Sequence, residues 1–461
     1  MKKPKITVYI PSHNYGSYLR EAIESVLRQT IDNWELFLIN VASLDNTKDI
    51  MESYKGDLRI KVCHTKNAGL SQAANFVLKR SRGEYIIRLD ADDVFDENIL
   101  LVLGNYLDRF SDVALVFPDY FLVDDHGGII RYEGKQSIYH TNHLLDMPAN
   151  GACTMIRKKV MKAVGGYRED LGAQDGFDLW TKVLRQHKCA NVNIPLFYYR
   201  RHGENLTEDH VRILNARRAI KKDACAVNLD KHRPIVAVIP CRKHYDIYPD
   251  LWRKELNKKS LLEITMETCL SSAIFDKIIV TSDNAAVQKS MSKYRDGRLL
   301  FIERNKESTT YSCSVVHTLE HINRTLGLKW GGTSVLSYVQ APFISAQTLE
   351  EALYTLILNS ADSAFAVREV EEDLYKRSSH GLVPITPQVR MKSDFDVVYA
   401  TVPSSSAIRN SNLKTGSLTG ARISHFIIPQ EETFFIRTKR DYEIAKILKG
   451  KTLMQAPLTR R

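Results

Sequence analysis

Three carboxylates within four residues close an apolar run: Tyr85-Ile86-Ile87-Arg88-Leu89-Asp90-Ala91-Asp92-Asp93. Acids this close repel one another unless a hard cation with oxygen ligands offsets their charge, so a divalent metal explains the cluster directly. An acidic surface turn or a helix cap is the competing explanation, since Asp is common in both. The element that must carry these acids is a buried strand. Apolar and β-branched residues in one run suit the middle of a parallel sheet, and its carboxyl end would present the acids where open α/β sheets bind ligands.

The totals set the frame. A chain of 461 residues exceeds the size at which a single core keeps growing, so at least two domains are expected. Hydrophobic content of 44% and charged content of 26% are those of a globular protein. No apolar run approaches the roughly 18 residues that span a bilayer, and Met1-Lys2-Lys3-Pro4-Lys5 lacks a signal-peptide core, so a cytoplasmic location is expected. Seven scattered cysteines with no C-x-x-C pair argue against structural zinc and a disulfide framework. The net charge of +11 suits anionic partners, but no nucleic-acid module signature is present, and no nucleic-acid partner is expected.

Two segments begin alike. Lys5-Ile6-Thr7-Val8-Tyr9-Ile10-Pro11 and Pro234-Ile235-Val236-Ala237-Val238-Ile239-Pro240 are both β-rich runs stopped by proline before a polar loop. Strand and helix patterns then alternate in each half, which predicts two α/β domains with parallel or mixed sheets. Residues 213–232 read as a basic helical linker, placing the boundary at 230, with domains 1–230 and 231–461.

Residues 5 to about 210 resemble a family 2 glycosyltransferase with the glycosyltransferase A fold. The resemblance rests on five blocks in order: Ile10-Pro11-Ser12-His13-Asn14 with 19–29; 40–47; Asn67-Ala68-Gly69-Leu70-Ser71-Gln72-Ala73-Ala74-Asn75; Asp90-Ala91-Asp92-Asp93; and Ala173-Gln174-Asp175-Gly176-Phe177-Asp178. It implies two tandem Rossmann-like nucleotide-diphospho-sugar transferase domains when combined with the second half. It also implies a manganese or magnesium ion held by Asp90 and Asp92, Asp92 foremost, to stabilise the leaving diphosphate. Asp175 matches the family's general base, with a helix N-cap as the alternative role. His202, behind Arg200 and Arg201, matches a position near metal and diphosphate. Pro11, His13, Asn14, Asn40, Asn67, Asp90, Ala91 and Asp92 match the donor site, and Gly151, Ala152, Gln174 and Asp175 the acceptor side. One departure concerns donor recognition: Val41 stands where the family carries the carboxylate that meets the nucleoside.

Residues 234 to about 449 resemble cytidylyltransferases that activate acidic sugars, through Val238-Ile239-Pro240-Cys241-Arg242, 275–283, Tyr338-Val339-Gln340-Ala341-Pro342 and 440–445. The triphosphate loop departs from that family. Lys243-His244-Tyr245-Asp246-Ile247 replaces its glycines and puts an acid where a lysine should face the triphosphate, and Arg437 stands where the acylneuraminate enzymes place metal-binding aspartates. Arg242, Lys259 and Gln340 remain as a vestigial nucleotide site. The expectation is an inverting, metal-dependent transferase using a nucleotide-sugar donor and a glycan or lipid-linked acceptor in surface polysaccharide synthesis, fused to a catalytically silent second domain. Peripheral contact at the inner membrane face, through the basic surface, and a homodimer, as in the related synthetases, are further expectations. A bifunctional transferase and CMP-sugar synthetase is the first rival, and a non-catalytic nucleotide- or glycan-binding scaffold the second.

Overall fold

The computed structural model describes residues 3–65, 69–134, 151–202, 210–243, 245, 248–304, 314–370, 374–379, 381–385 and 398–452. It is a mixed α/β chain with two large sheets and two two-stranded ribbons, in two compact units that divide between Ile220 and Lys221.

The first unit runs β1 (Ile6–Ser12), α1 (Gly16–Leu27), β2 (Trp34–Val41), α2 (Thr47–Ser53), β3 (Ile60–Thr65), α3 (Leu70–Arg80), β4 (Tyr85–Arg88), β5 (Val94–Phe95), α4 (Ile99–Arg109), β6 (Val113–Val123), β7 (Ile129–Glu133), β8 (Met155–Arg157), α5 (Lys158–Ala163), α6 (Asp175–Leu184) and β9 (Lys188–Arg200). Its sheet has the order β3-β2-β1-β4-β8-β6-β9-β5, with β7 paired to β6. β1 to β4 are mutually parallel, whereas β8 runs antiparallel to both β4 and β6. Every residue of β1 is buried, as a strand covered on both faces requires. Ile6, Val8 and Ile10 pack into one core with Leu36, Leu38 and Ile87, while Tyr9 joins Phe37, Ile39 and Ile86 in the core of the opposite face.

The chain leaves β1 toward β2 and β3 and then returns to the other side of β1 as β4. Such a reversal opens a crevice beyond the carboxyl ends of the two central strands. The register Tyr9↔Arg88 and Ser12↔Asn40 brings the ends of β1, β2 and β4 to that crevice.

Helix α7 (His210–Cys225) carries the division between the units. From Lys221 onward the chain belongs to the second unit, where the buried Lys221 ammonium lies 2.8 Å from Glu351 and donates to Thr355. The segment 213–232 is thus helical to Cys225, followed by a short 3-10 turn at Leu229–His232, and the division falls ahead of residue 230.

The second unit runs β10 (Ile235–Pro240), β11 (Glu255–Leu256), β12 (Lys259–Ser260), α8 (Leu261–Leu270), β13 (Lys277–Ser282), α9 (Ala285–Met291), β14 (Leu299–Glu303), α10 (Val315–Thr325), β15 (Thr333–Ser337), α11 (Ala346–Leu358), β16 (Ser363–Glu369), β17 (Tyr375–Ser378), β18 (Gly381–Pro384), β19 (Tyr399–Arg409), β20 (Ile423–Ile427) and α12 (Lys439–Thr452). Its main sheet has the order β14-β13-β10-β15-β19-β16-β20. β10, β13, β14 and β15 therefore stand as β1, β2, β3 and β4 do, and β19, β16 and β20 follow with the senses of β8, β6 and β9. Glu351 and Thr355, the partners of Lys221, lie on α11.

Candidate functional site

The acidic turn begins where β4 stops. Leu89 N–H still donates to Tyr9 O, and Asp93 N–H then folds back to Asp90 O at 3.2 Å. Ala91 is buried in the core, which pins the middle of the turn and leaves Asp90 and Asp92 on its flanks. The end of β9 straps the turn down: Arg200 N–H donates to Asp93 Oδ1 at 3.0 Å and Arg200 Nε to Asp92 O at 3.0 Å. Two residues further on, His202 Nε2 lies 3.1 Å from Asp92 Oδ2. Tyr18 stacks on the imidazole at 5.1 Å between centroids and Tyr15 meets it edge-on at 5.7 Å, so the ring is held from two sides.

Arg200 is buried behind the turn. Its guanidinium is turned inward, donating to Asp125 O at 2.9 Å and pairing with Glu21 at 2.7 Å, and only 3% of the residue is exposed. It holds the turn instead of meeting a ligand.

Asp175 opens α6, preceded by Gln174 in the left-handed region at φ 59°. A non-glycine residue held there needs outside support, and Arg217 on α7 supplies it by donating Nε to Gln174 Oε1 at 2.9 Å. Asp178, in the first turn of α6, is buried and paired with Lys182 at 2.6 Å one turn on. Asp175 forms an ion pair with Arg88 NH1, and Arg88 Nε lies 2.9 Å from Asp90 Oδ1. One guanidinium therefore joins the acidic turn to the candidate base.

The neighbouring segment is fitted just as closely. Cys153 N–H donates to Arg88 O at 2.7 Å, and a Cβ on Gly151 would fall 2.7 Å from Gly176 Cα and 3.4 Å from Arg88 NH2. Only glycine allows that approach of 151–154 to the start of α6. Gly151 thus lies against Gly176, next in sequence to Asp175, and Ala152 beside it is buried.

On the donor side, Pro11 lies near the end of β1 beside Ile39. His13 Nδ1 is 2.6 Å from Val41 O, Asn14 Oδ1 accepts from Leu44 N–H at 2.7 Å, and Asn40 Oδ1 accepts from Ser43 N–H at 2.9 Å. The first two bonds clamp the loops after β1 and β2 onto each other, and the third closes the turn after β2 on itself. Val41 is buried with Tyr9, Phe37 and Ala73, so the position expected to carry a carboxylate is a core position in this chain. Asn67 lies outside the described residues.

The electrostatics of the turn bear on a cation. Removal from water pushes the Asp90 carboxyl up, and the Asp92 and Asp175 charges add to that against the pull of Arg88. Asp93 is pushed up well beyond the usual carboxylate range by burial, then by Asp92 and Asp90. Its Oδ2 is buried and accepts no hydrogen bond among the described residues. A site that drives its own acids toward neutrality is one that a divalent cation relieves. Donor atoms 3.1 Å apart, as in Asp92 and His202, match adjacent ligands at about 2.1 Å from one ion. Asp90 is engaged with Arg88, and among the described residues no group of three or more His, Cys, Asp or Glu is placed to hold a metal unaided. An ion on Asp92 and His202 would therefore complete its shell with water and substrate oxygens, the usual manner of magnesium-type sites.

Two residues of this site, Arg88 and Arg217, carry no motif. An arginine inside an otherwise apolar buried strand is the one signal that could have exposed Arg88, because buried arginines are rare unless paired. Nothing comparable marks Arg217.

In the second unit Arg242 N–H donates to Tyr245 Oη at 3.2 Å, and Arg304 at the end of β14 is buried close enough to Arg242 that burial and that neighbouring charge hold its pKa below the usual range. Lys259 donates to Glu267 at 2.6 Å, and the Gln340 carbonyl accepts from Ile436 N–H at 2.8 Å. Arg437 N–H donates to Asp441. His244, Asp246 and Ile247 lie outside the described residues. Among the described residues no helix is long and apolar enough to cross a membrane.

Comparison with known proteins bears on the first unit. Residues 7–165 match the family model for Glycosyl transferase family 2. An uncharacterized glycosyltransferase of Rickettsia felis is 32% identical over 220 residues, covering 45% of this chain and 36% of the relative. The chondroitin synthase of Escherichia coli is 25% identical over 253 residues, covering 52% of this chain and again 36% of the relative. The chain thus spans about a third of the length of these curated relatives. Among solved structures, mannosyltransferase PcManGT from Pyrobaculum calidifontis in complex with GDP-Man and Mn2+ aligns with a TM-score of 0.39 at 16% identity, over 49% of this chain and 65% of that one. Residues 7–165 of the first unit thus match a family 2 glycosyltransferase domain, and a distinct second α/β unit follows.

Proposed function

We propose that this chain is an inverting glycosyltransferase of the glycosyltransferase A type, which moves a sugar from a nucleotide-sugar donor to a glycan or lipid-linked acceptor in surface polysaccharide synthesis. The observation that carries this reading is the meeting of Asp175 and the Asp90–Asp93 turn on the two edges of the Arg88 guanidinium, in the crevice of the switch point. The family match of residues 7–165 and the likeness to a chondroitin synthase support the reaction class and the acceptor class.

The residues divide the work. Asp175 takes the proton of the acceptor hydroxyl as its oxygen bonds to the anomeric carbon. The bond from that carbon to the diphosphate breaks with its electron pair going to the leaving group, and a single displacement inverts the centre. Asp92 and His202 would hold a divalent cation, which when bound offsets the charge of the diphosphate. Tyr15 and Tyr18 keep His202 turned to Asp92, and Arg200 keeps the turn in place. Donor choice rests on other groups than a carboxylate at position 41, because that side chain is apolar and buried. The second unit is read as silent in CMP-sugar synthesis, since the loop sequence opposes a triphosphate.

The test is release of nucleoside diphosphate from UDP-N-acetylglucosamine, UDP-glucose and GDP-mannose with manganese, for the intact chain and for Asp175→Asn. Turnover of one donor, lowered about 10²- to 10⁴-fold by the substitution, is expected. No turnover of any donor, or full activity in Asp175→Asn, would overturn the reading.

A further inference from the structure

Arg88 sits at the last position of β4, 7% exposed, between two acids that belong to different parts of the fold. Asp90 follows it by two residues, while Asp175 arrives from α6. The guanidinium is planar and presents its N–H groups in a fixed fork, so holding a carboxylate on each edge sets the distance and angle between them. Beneath it, the Tyr9 and Tyr167 hydroxyls meet at 3.1 Å, both buried, and both are pushed above the usual phenol range, chiefly by burial. They remain neutral, so among these neighbours the negative charge facing Arg88 comes from Asp90 and Asp175. Its main-chain carbonyl is taken by Cys153 N–H, and Gly151 closes over its NH2, so strand and side chain are both fixed.

We propose that Arg88 is the positioning residue of the transfer reaction: it holds Asp175 through Oδ2, aims the remaining oxygen at the acceptor hydroxyl, and fixes the base relative to the acidic turn that faces the donor. This rests on the reading of Asp175 as the base. Arg88 touches no reacting atom and acts through Asp175. A base displaced by about 1 Å can cost on the order of 10²-fold in rate, which is the size of effect to look for.

The experiment uses the full chain with manganese and whichever of UDP-N-acetylglucosamine, UDP-glucose or GDP-mannose it hydrolyses fastest, comparing Arg88→Met, Arg88→Lys, Asp175→Asn and the double variant Arg88→Met/Asp175→Asn. Binding of UDP and GDP is measured by calorimetry alongside, and thermal melting checks folding. The expected result is a kcat lowered about 100-fold in Arg88→Met, with donor KM and nucleotide Kd changed less than threefold. Arg88→Lys should regain about tenfold, because an ammonium can hold Asp175 without the fork. The double variant should be no slower than Asp175→Asn, since groups acting as one unit are non-additive. Multiplying losses in the double variant, or an Arg88→Met variant with full kcat while Asp175→Asn is inactive, would overturn the inference and leave the base assignment standing. Full activity in Asp175→Asn would remove the base assignment and the inference with it. If Arg88→Met melts before assay, Arg88→Lys decides: a kcat loss with unchanged Kd supports positioning, and an unchanged kcat overturns it.

Discussion

The two units share one strand order and differ at the corner where a ligand would sit. In the first, β4 is followed by Asp90, Ala91, Asp92 and Asp93, with His202 against Asp92 and Asp175 on Arg88. In the second, β15 is followed by Tyr338, Val339, Gln340 and Ala341, with no carboxylate, and Arg242 and Arg304 come together beyond β10 and β14 with Asp283 close by. The acidic turn that follows β4 has no counterpart after β15. The sheet decides where a ligand can approach, and the few residues after each strand decide what chemistry meets it.

That comparison can be broken most decisively by a pair of substitutions. Asp92→Ala is expected to lower donor turnover about 10³-fold, while Arg242→Ala changes it less than twofold, and the intact chain releases no pyrophosphate from CTP with acidic sugars. Pyrophosphate release would restore a second activity to the second unit. His202→Ala should cost about 10- to 100-fold in manganese affinity or turnover, read by a manganese titration of the rate. Gly151→Ala sharpens the geometry: its methyl must displace the Gly176 backbone or Arg88, so destabilisation of about 1 to 3 kcal/mol is expected in urea unfolding, with lost activity. An unchanged midpoint would mean that 151–154 yields freely.

The smallest expected effect lies away from the site, at Glu35. Burial pushes this carboxyl up, but Lys61, the Arg82 N–H, Thr7 and the Arg82 guanidinium outweigh it and hold it at about 2. A depressed folded pKa contributes stability that is complete above the unfolded value of 4.5 and is lost as pH falls toward 2. Between pH 7 and pH 4 the wild-type chain should therefore lose roughly 1 kcal/mol more than Glu35→Gln, compared by urea midpoints. Equal losses would contradict that ion-pair network.

Much of the scaffold was legible in the sequence because its signals are local. Buried β-rich runs mark β1 and β10, although β1 continues through Pro11 to Ser12 while β10 stops at Pro240, and the acids beyond β4 announce a strand tip. Asp92 and His202, separated by 110 residues, could be placed together only through the family resemblance, which the structure matches with a 3.1 Å contact. The rest depends on side-chain direction in three dimensions. Arg200, which the sequence shows only as a neighbour of His202, faces inward because the end of β9 lies against the turn. Arg217 and the left-handed Gln174 meet only when α7 folds back onto the loop before α6. Val41 looks like a lost nucleoside contact, and its burial beside Phe37 gives that loss a physical meaning.

Whether donor chemistry resides in the first unit is decided by calorimetric binding of UDP, GDP and CDP with manganese to the intact chain and to Asp92→Ala. Metal-dependent binding of one diphosphate by the intact chain is expected, abolished in Asp92→Ala with folding intact. Nucleotide binding of equal strength in both proteins would contradict it and move the donor site elsewhere.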